Sequence, residues 1–122
     1  MTPDTACEHY LGRLAEVLDQ QADQIAAVVV EPLVQGAAGM IVHPPGFLHG
    51  VRELTRRHNV LLIADEVAVG MGRTGKMFCV DHWDLVPDVL TLGKGFGNGF
   101  PVTAMVVRDK YKDEVEKMRE TI

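Results

Sequence analysis

The sequence predicts an α/β fold built on a mostly parallel sheet with one antiparallel strand. Two largely apolar runs, residues 61–64 and 89–92, have the pattern of strands that are covered on both faces. The first run stops at Asp65, and the second stops at Gly93 and Lys94. Because ligands of open α/β sheets bind beyond the carboxyl ends of the strands, these two ends predict a binding site.

The first thirty residues predict a helix followed by a strand. Leucines and an alanine at helical spacing favour an amphipathic helix over 7–21, with Thr5 and Glu8 spaced as a capping box. The β-branched run at 25–30 predicts a buried strand. It should end before Pro32, because proline cannot continue an interior strand.

The next segment completes a strand–helix–strand unit. Residues 33–46 are rich in glycine and proline and predict a loop. Apolar residues on one face predict a helix over about 47–58, and a second strand follows at 60–65. Crossovers of this kind are almost always right-handed, so the strands at 25–30 and 60–65 should be parallel.

The last third predicts two more strands and a terminal helix. A strand at 88–92 is followed after a short connection by a strand at 102–107. The connection predicts an antiparallel return, because a parallel one needs a dozen or more residues. A charged helix over about 110–119 ends the chain.

Composition favours a single soluble domain. The 122 residues can bury roughly two thirds of their unfolded surface. Hydrophobic residues make up 47%, and the net charge of −5 provides no basic face for nucleic acid. Cys7 and Cys79 lie far apart without metal-ligand spacing, so we expect no metal site and a reducing, cytoplasmic setting. Nothing in the sequence has the pattern of a signal peptide or a membrane span, so no membrane partner is expected.

Asp65 and Lys94 each have a structural alternative. An acid at a strand end often caps the following turn, and a lysine beside glycine is usually a solvated loop charge. The functional interpretation becomes the better one when the two residues are taken together with the glycines around Lys94, which let backbone approach a ligand closely. Those glycines are Gly93, Gly95, Gly97 and Gly99.

A glycine pattern in the middle of the chain resembles nucleotide-binding motifs. Gly70, Gly72 and Gly75 match GxGxxG, and the segment up to Lys76 matches most of a phosphate loop. The phosphate loop requires Ser or Thr next, but Met77 is present. The dinucleotide motif should directly follow the first strand, and here another strand precedes it. A nucleotide-binding domain is therefore only a remote alternative.

Three segments together resemble a known family. VVVEPLVQGAAG, LLIADEVAVGMGRTGKMF and DVLTLGKGFGNGFP, in this order, resemble the central part of class III, fold-type I aminotransferases that depend on pyridoxal phosphate. The resemblance runs from about residue 25 to 107 and implies a three-layer large domain, of which residues 1–122 are one part. It also implies the strand order 102–107, 88–92, 60–65, 25–30, which would leave bare edges at both outer strands. EPLVQGAAGM is similar to the biotin-pathway enzymes that aminate 8-amino-7-oxononanoate, whereas KGFGNGFP is more like other class III transaminases.

The resemblance implies a role for five residues. Lys94 would be the catalytic lysine that holds pyridoxal phosphate covalently and moves a proton. Asp65 would face the pyridine nitrogen, and Val67, two residues further along an extended chain, would pack on the ring. Glu31 and Gln35 would lie near the cofactor, with Gln35 bonding the ring hydroxyl or the surroundings of Asp65. The family also implies a cytoplasmic homodimer, a small-molecule amino donor and a keto acid, ketone or aldehyde acceptor.

Several alternatives stay open at this point. Val67 can be an ordinary core valine, Glu31 a strand-end cap, and Arg73 either a solvated charge or a contact to its loop or a dimer partner. Ala68 and Ala37 replace a glutamine and an acid that many members carry, which leaves the substrate open. Complete members are several times longer, so the chain is either the cofactor-binding centre of a transaminase or a non-catalytic fragment that needs a partner chain.

Overall fold

The fold is a four-stranded mixed sheet with helices, described for residues 1–121 by a computed structural model. A separate two-stranded hairpin lies in the loop after the first strand. None of the helices in the described residues is long and apolar enough to cross a membrane. The main elements are α1 (Pro3–Gln21), β1 (Ala27–Val30), β2 (Val34–Gln35), β3 (Ile41–Val42), α2 (Phe47–Arg57), β4 (Leu61–Asp65), β5 (Val89–Leu92), β6 (Ala104–Val107) and α3 (Lys112–Glu120).

The sheet has the predicted strand order and directions. Its order is β1-β4-β5-β6, with β1 parallel to β4, β4 parallel to β5, and β6 antiparallel to β5. The mostly parallel sheet with one antiparallel strand is therefore confirmed. Each strand is up to two residues shorter than predicted, because hydrogen-bonded pairing starts later than the apolar run. Strands β1 and β6 form the two edges, as expected.

The two ends of the chain and the loop at 33–46 differ from the predictions. Helix α1 begins at Pro3, where Thr2 is the N-cap and its Oγ1 accepts a hydrogen bond from the Thr5 amide at 3.3 Å. The predicted capping box of Thr5 and Glu8 is therefore wrong. The predicted loop contains the hairpin β2–β3, whose two-residue strands are too short to give a periodic signal. Helix α3 begins at Lys112 after a 3-10 turn.

One face of the sheet forms the core. Leu62 and Ala64 of β4 are fully buried, together with Leu90 and Leu92 of β5. They pack in one cluster with Val51 of α2. Helix α1 packs against α2 and contributes Leu18 to an adjoining cluster with Leu54 and Val60. Because successive side chains of a strand point to opposite faces of the sheet, every second side chain of β4 and β5 lies in this core.

The other face of the sheet is much less covered. Val29 of β1 and Met105 of β6 are each 61% exposed, and the β4 residues Leu61 and Ile63 are only partly buried. The apolar runs predicted strands covered on both faces, but the described residues cover one. The chain therefore supplies the sheet and one helical layer of the expected three-layer domain.

Candidate active site

Asp65 is the last residue of β4 and faces the less covered side of the sheet. It pairs in register with Thr91 of β5. Its Oδ1 accepts two hydrogen bonds, from the Thr91 hydroxyl and from the Val67 amide, each at 3.1 Å. Its Oδ2 has no hydrogen-bond partner within residues 1–121. The carboxylate is thus fixed in orientation through one oxygen and retains the other for a ligand.

The same hydrogen bonds show how far the capping alternative holds. The bond from the Val67 amide to Asp65 closes a turn directly after the strand, as an aspartate cap does. Val67 therefore lies in a turn, and the predicted extended continuation from Asp65 to Val67 is wrong. The geometry allows Asp65 to cap the turn and also to bind a ligand, because capping uses only Oδ1.

Lys94 follows β5 and begins the 3-10 turn Lys94–Gly97. Its backbone φ is 44°, a left-handed conformation that non-glycine residues seldom adopt. Such strained positions cluster at functional sites. The side chain is exposed and makes no hydrogen bond or salt bridge to the described part of the chain. Its primary amine is thus available for chemistry.

Gly93 brings the two turns into contact. A Cβ added at Gly93 would lie 3.2 Å from Cγ1 of Val67 and 3.5 Å from Cγ2 of Thr103. The distance to Val67 is tighter than ordinary packing, so the turn that carries Lys94 can lie against Val67 because position 93 has no side chain. Asp65 and Lys94 therefore follow adjacent parallel strands at the carboxyl end of the sheet, close to the contact between Gly93 and Val67.

Glu66 is a site residue that the sequence analysis did not single out. It is 1% exposed, and its carboxylate accepts hydrogen bonds from the amides of Cys79 at 2.9 Å and Val80 at 2.7 Å. Burial raises the pKa of Glu66, although the two amide hydrogen bonds oppose this shift. A Cβ at Gly70 would lie 2.8 Å from the Glu66 carbonyl oxygen. Glu66 thus fastens the loop that follows Asp65 to the turn at Cys79 and Val80.

The glycine-rich segment 70–76 is part of that loop. After Gly75 the chain continues through bends to a short 3-10 turn, Cys79–Trp83, so no long helix follows Lys76 as in a phosphate loop. The Lys76 ammonium donates to the Asp81 carbonyl at 3.3 Å. The side chain of Arg73 has no hydrogen bond or salt bridge within residues 1–121, and its predicted role is neither supported nor contradicted.

Glu31 and Gln35 lie in the segment that contains the hairpin. The Glu31 carboxylate accepts a hydrogen bond from the Gly36 amide at 3.0 Å, and its carbonyl accepts one from Nε2 of His43 at 2.9 Å. Glu31 therefore stabilises the loop that follows β1, and its predicted place near the cofactor stays a prediction. Gln35 is partly buried beside a cavity of about 830 Å³. No hydrogen bond joins it to Asp65 in the described residues, so its predicted role stays a prediction.

The described residues contain no group of three or more His, Cys, Asp or Glu side chains placed to hold a metal ion. Cys7 and Cys79 are free thiols, and burial raises the pKa of Cys79. The groups available for chemistry at the strand ends are thus an amine and a carboxylate oxygen.

Comparisons with known proteins show the family of the chain. The family model for class-III aminotransferases matches residues 2–119, so the chain belongs to that family. It is 46% identical over 123 residues to the adenosylmethionine-8-amino-7-oxononanoate aminotransferase of Geobacter sulfurreducens, covering 97% of this chain and 27% of that protein. It is 55% identical over 84 residues to the acetylornithine/succinyldiaminopimelate aminotransferase of Photorhabdus laumondii, covering 69% of this chain and 21% of that protein.

Solved structures show the same fold. The taurine:2-oxoglutarate aminotransferase of Bifidobacterium kashiwanohense, solved in complex with PLP and glutamate, has a TM-score of 0.85 and 38% identity over 94% of this chain. An omega-transaminase from Thermomicrobium roseum has a TM-score of 0.87 and 32% identity over 96% of this chain. Each match covers 26% of the solved chain, so this chain spans about a quarter of the length of its relatives.

Proposed function

We propose that the chain is the cofactor-binding central part of an aminotransferase large domain, with residues 1–122 forming one part of that domain. The protein would use pyridoxal phosphate to transfer an amino group from a small-molecule donor to a keto acid, ketone or aldehyde. The observation that carries this proposal is the placement of Asp65 and Lys94 at the carboxyl ends of two adjacent strands. Asp65 has Oδ2 available there, and Lys94 has its amine. Membership of the class-III family supports the same conclusion.

The residues present fit pyridoxal phosphate. The group supplies an aldehyde that forms a covalent bond with an amine, and a ring that stabilises negative charge on a substrate carbon. Lys94 offers an unpaired primary amine for that bond, and the same amine can move a proton at the substrate carbon once it is released. Asp65 offers its free Oδ2 to a protonated ring nitrogen, while the Thr91 hydroxyl and Val67 amide hold the carboxylate in place.

Three further residues are part of the proposal with less direct support. Val67 would contact the ring face, because its methyl groups lie against Gly93 beside Lys94. Glu31 would act through the loop that it fastens, by holding the segment that carries Gln35. Gln35 would reach the cofactor only if its side chain left the cavity near β1, since no described contact joins it to Asp65.

The substrates are proposed from the relatives. We favour the amination of 8-amino-7-oxononanoate in biotin synthesis, because the matching Geobacter enzyme carries that name and aligns with nearly the whole chain. The Photorhabdus enzyme has a higher sequence identity to this chain than the Geobacter enzyme, but over a shorter stretch. Its name makes acetylornithine the second candidate substrate. The complete protein would act as a cytoplasmic homodimer.

A non-catalytic role is the second candidate. The chain spans about a quarter of its relatives, and one sheet face exposes Val29 and Met105. These observations favour a piece that needs further polypeptide, either in the same chain or as a partner, before it can act. A fragment of this kind would fold against that polypeptide and transfer no amino group by itself.

Amino transfer by the complete protein tests the proposal. We expect Lys94→Ala to lower the transamination rate by at least about 10²-fold, because the proton-transferring amine is lost. Lys76→Ala is the matched control, since Lys76 is also exposed and donates only to a loop carbonyl, and it should retain near-normal activity. Equal activity of the wild type and Lys94→Ala, or no transamination with any amino donor, would contradict the proposal.

A further inference from the structure

A cluster of cationic side chains surrounds Asp88 at the amino end of β5, which is the opposite end of that strand from the proposed active site. Asp88 immediately precedes β5, whereas Lys94 follows that strand. Arg52 of α2 donates from Nη1 to Oδ2 of Asp88 at 2.6 Å, and the Leu62 amide donates to the same oxygen at 2.9 Å. The Arg52 and Asp88 side chains are only 6% and 5% exposed. This pair is a buried, hydrogen-bonded ion pair that joins the helix to the sheet.

The donors around Asp88 outnumber the acceptors. Its Oδ1 lies 3.3 Å from the Tyr111 hydroxyl, 3.5 Å from Nη1 of Arg108 and 3.9 Å from Nζ of Lys110. Arg52 also reaches this oxygen through Nη2, at 3.4 Å. A carboxylate oxygen has about two acceptor sites, so it cannot satisfy four donors, and all four distances are long.

One buried donor has no partner at all. Nε of Arg52 is inaccessible to solvent and makes no hydrogen bond to the described residues. Native structures rarely leave a buried charged donor unsatisfied, because the loss of hydration is not compensated. Nε of Arg52 therefore adds to the hydrogen-bond donors of this cluster that lack an acceptor among the described residues.

A cavity next to the cluster has room for such an acceptor. Its volume is about 140 Å³. At about 30 Å³ per water molecule, this is roughly the space of five waters, and a phosphate ion has five heavy atoms. A single carboxylate faces four cationic side chains in the lining, which leaves a local charge of +3 in a chain of net charge −5. The charged lining residues are Arg52, Arg56, Arg108, Lys110 and Asp88.

We propose that this cavity binds a small tetrahedral oxyanion, either inorganic phosphate or the phosphoryl group of a phosphate monoester. Arg108 and Lys110 would contact the anion, and the Tyr111 hydroxyl would donate to it, since their bonds to Asp88 are long and weak. Asp88 would keep Arg52 and Leu62, whose bonds to Oδ2 are short. Anion binding thus supplies acceptors without breaking the buried ion pair.

Calorimetric titration of the complete protein tests this site. The protein is saturated with pyridoxal phosphate and then separated from unbound cofactor by gel filtration, so that any phosphate site of the cofactor is filled while no free monoester competes for the proposed site. Inorganic phosphate is then titrated at constant ionic strength, and AMP is titrated separately as a monoester. We expect saturable binding of phosphate, with Arg108→Gln and Lys110→Gln each weakening it by about tenfold, because each removes a charge-assisted hydrogen bond.

The matched control is Lys112→Gln. Lys112 lies two residues from Lys110, is exposed, and pairs only with Glu116 at 4.0 Å among the described residues, so its loss should leave binding unchanged. Tighter binding of AMP than of phosphate would assign the site to a phosphoryl group of a larger molecule, and equal or weaker binding would assign it to the free ion. Absence of saturable binding, or equal binding by Arg108→Gln and the wild type, would overturn the proposal.

Folding of the variants is checked by their thermal midpoints. Without phosphate, Arg108→Gln should melt close to the wild type, because one carboxylate still faces an excess of cations. With phosphate, the wild type should be stabilised by binding and the variant should gain much less. An equal gain in both proteins would overturn the site, whatever the calorimetric result.

Discussion

Asp65 and Asp88 are the same side chain at opposite ends of adjacent strands, yet their surroundings differ. Asp88 lies before β5, is 3% exposed, and uses both carboxylate oxygens in hydrogen bonds that include Arg52. Asp65 ends β4, is partly buried, and uses only Oδ1. Lys94, which follows the neighbouring strand β5, is exposed and makes no hydrogen bond or salt bridge to the described residues.

The difference separates groups that stabilise the fold from groups available for chemistry. Burial alone would raise the pKa of Asp88, but hydrogen bonds from Arg52 and Leu62 together with the Arg52 charge outweigh it and lower the pKa to about 2. The charged form of Asp88 therefore stabilises the folded state. Asp65 is held by two neutral donors through one oxygen, which fixes its position without using its full binding capacity.

The largest effect is expected from breaking the Asp88 pair. Arg52→Met should lower the free energy of unfolding by about 3–5 kcal/mol, because it removes the buried cation that makes a short hydrogen bond to Asp88. Arg108 and Lys110 lie 3.5 and 3.9 Å from the other oxygen. Denaturant unfolding of the protein that contains this chain measures the change. Arg56→Met, one helical turn away and exposed, should change stability by less than about 0.5 kcal/mol. Similar losses for both variants would show that the burial of the pair is unimportant.

Asp65→Asn should affect activity rather than folding. The asparagine oxygen can accept the bonds from Thr91 and Val67, so the fold should be retained. The rate of transamination should fall by about 10²–10³-fold, because a charge placed to stabilise the reacting system is lost. Steady-state kinetics of the complete protein measure this fall, with the exposed Asp113→Asn as control. Normal turnover of Asp65→Asn would leave Asp65 as a cap only.

Acid should weaken the fold through Asp88. Its pKa is lowered from an ordinary 3.8 to about 2, so its stabilisation is fully present above about pH 4 and is lost as the pH falls towards 2. The loss is about 2 kcal/mol. Glu66 acts in the opposite direction, because its pKa is raised by burial and its protonation favours the folded state.

Unfolding midpoints measured between pH 5 and 2 can separate these two acids. Asp88→Asn should be less stable at neutral pH but should lose less stability in acid than the wild type does. Glu66→Gln should retain the acid loss that Asp88 causes. An unchanged acid dependence in Asp88→Asn would contradict the assignment of this loss to the Asp88 pair.

A smaller effect is expected where the two turns of the proposed active site touch. Gly93→Ala places a Cβ 3.2 Å from Val67, so the turns must separate by a few tenths of an ångström, and stability should fall by about 1 kcal/mol. Gly12→Ala, within α1, is the matched control. A Cβ added at Gly12 meets no atom within 4 Å, so this substitution should stabilise the protein by about 0.5–1 kcal/mol. Equal changes at both positions would argue against a tight contact at Gly93.

The part of the fold that carries the proposed site was predictable from the sequence. The apolar runs that become β4 and β5 are long enough to be recognised, and the short connection to β6 allows only an antiparallel return. These local signals predict the strands and place Asp65 and Lys94 at strand ends, whereas the order of the strands was implied by the resemblance to the family. The resemblance to the family then named the chemistry that a carboxylate and an amine can share there.

The structural ion pair was not predictable in the same way. Arg52 and Asp88 are 36 residues apart, and nothing in their local sequence links them. Glu66 was also missed, because its partners are backbone amides of Cys79 and Val80 that reach it only after the loop has folded. Long-range pairs and bonds to backbone depend on tertiary packing, whereas strands and helices have local periodic signals.

Covalent labelling of lysine tests the central claim most directly. The complete protein is incubated with pyridoxal phosphate, reduced with borohydride to fix any bond between cofactor and lysine, and digested for peptide mapping. The account predicts the label on Lys94, because its amine makes no hydrogen bond or salt bridge to the described residues. Lys94 also follows β5 at the same end of the sheet as Asp65. A label on Lys76 or Lys110 in place of Lys94 would contradict the account.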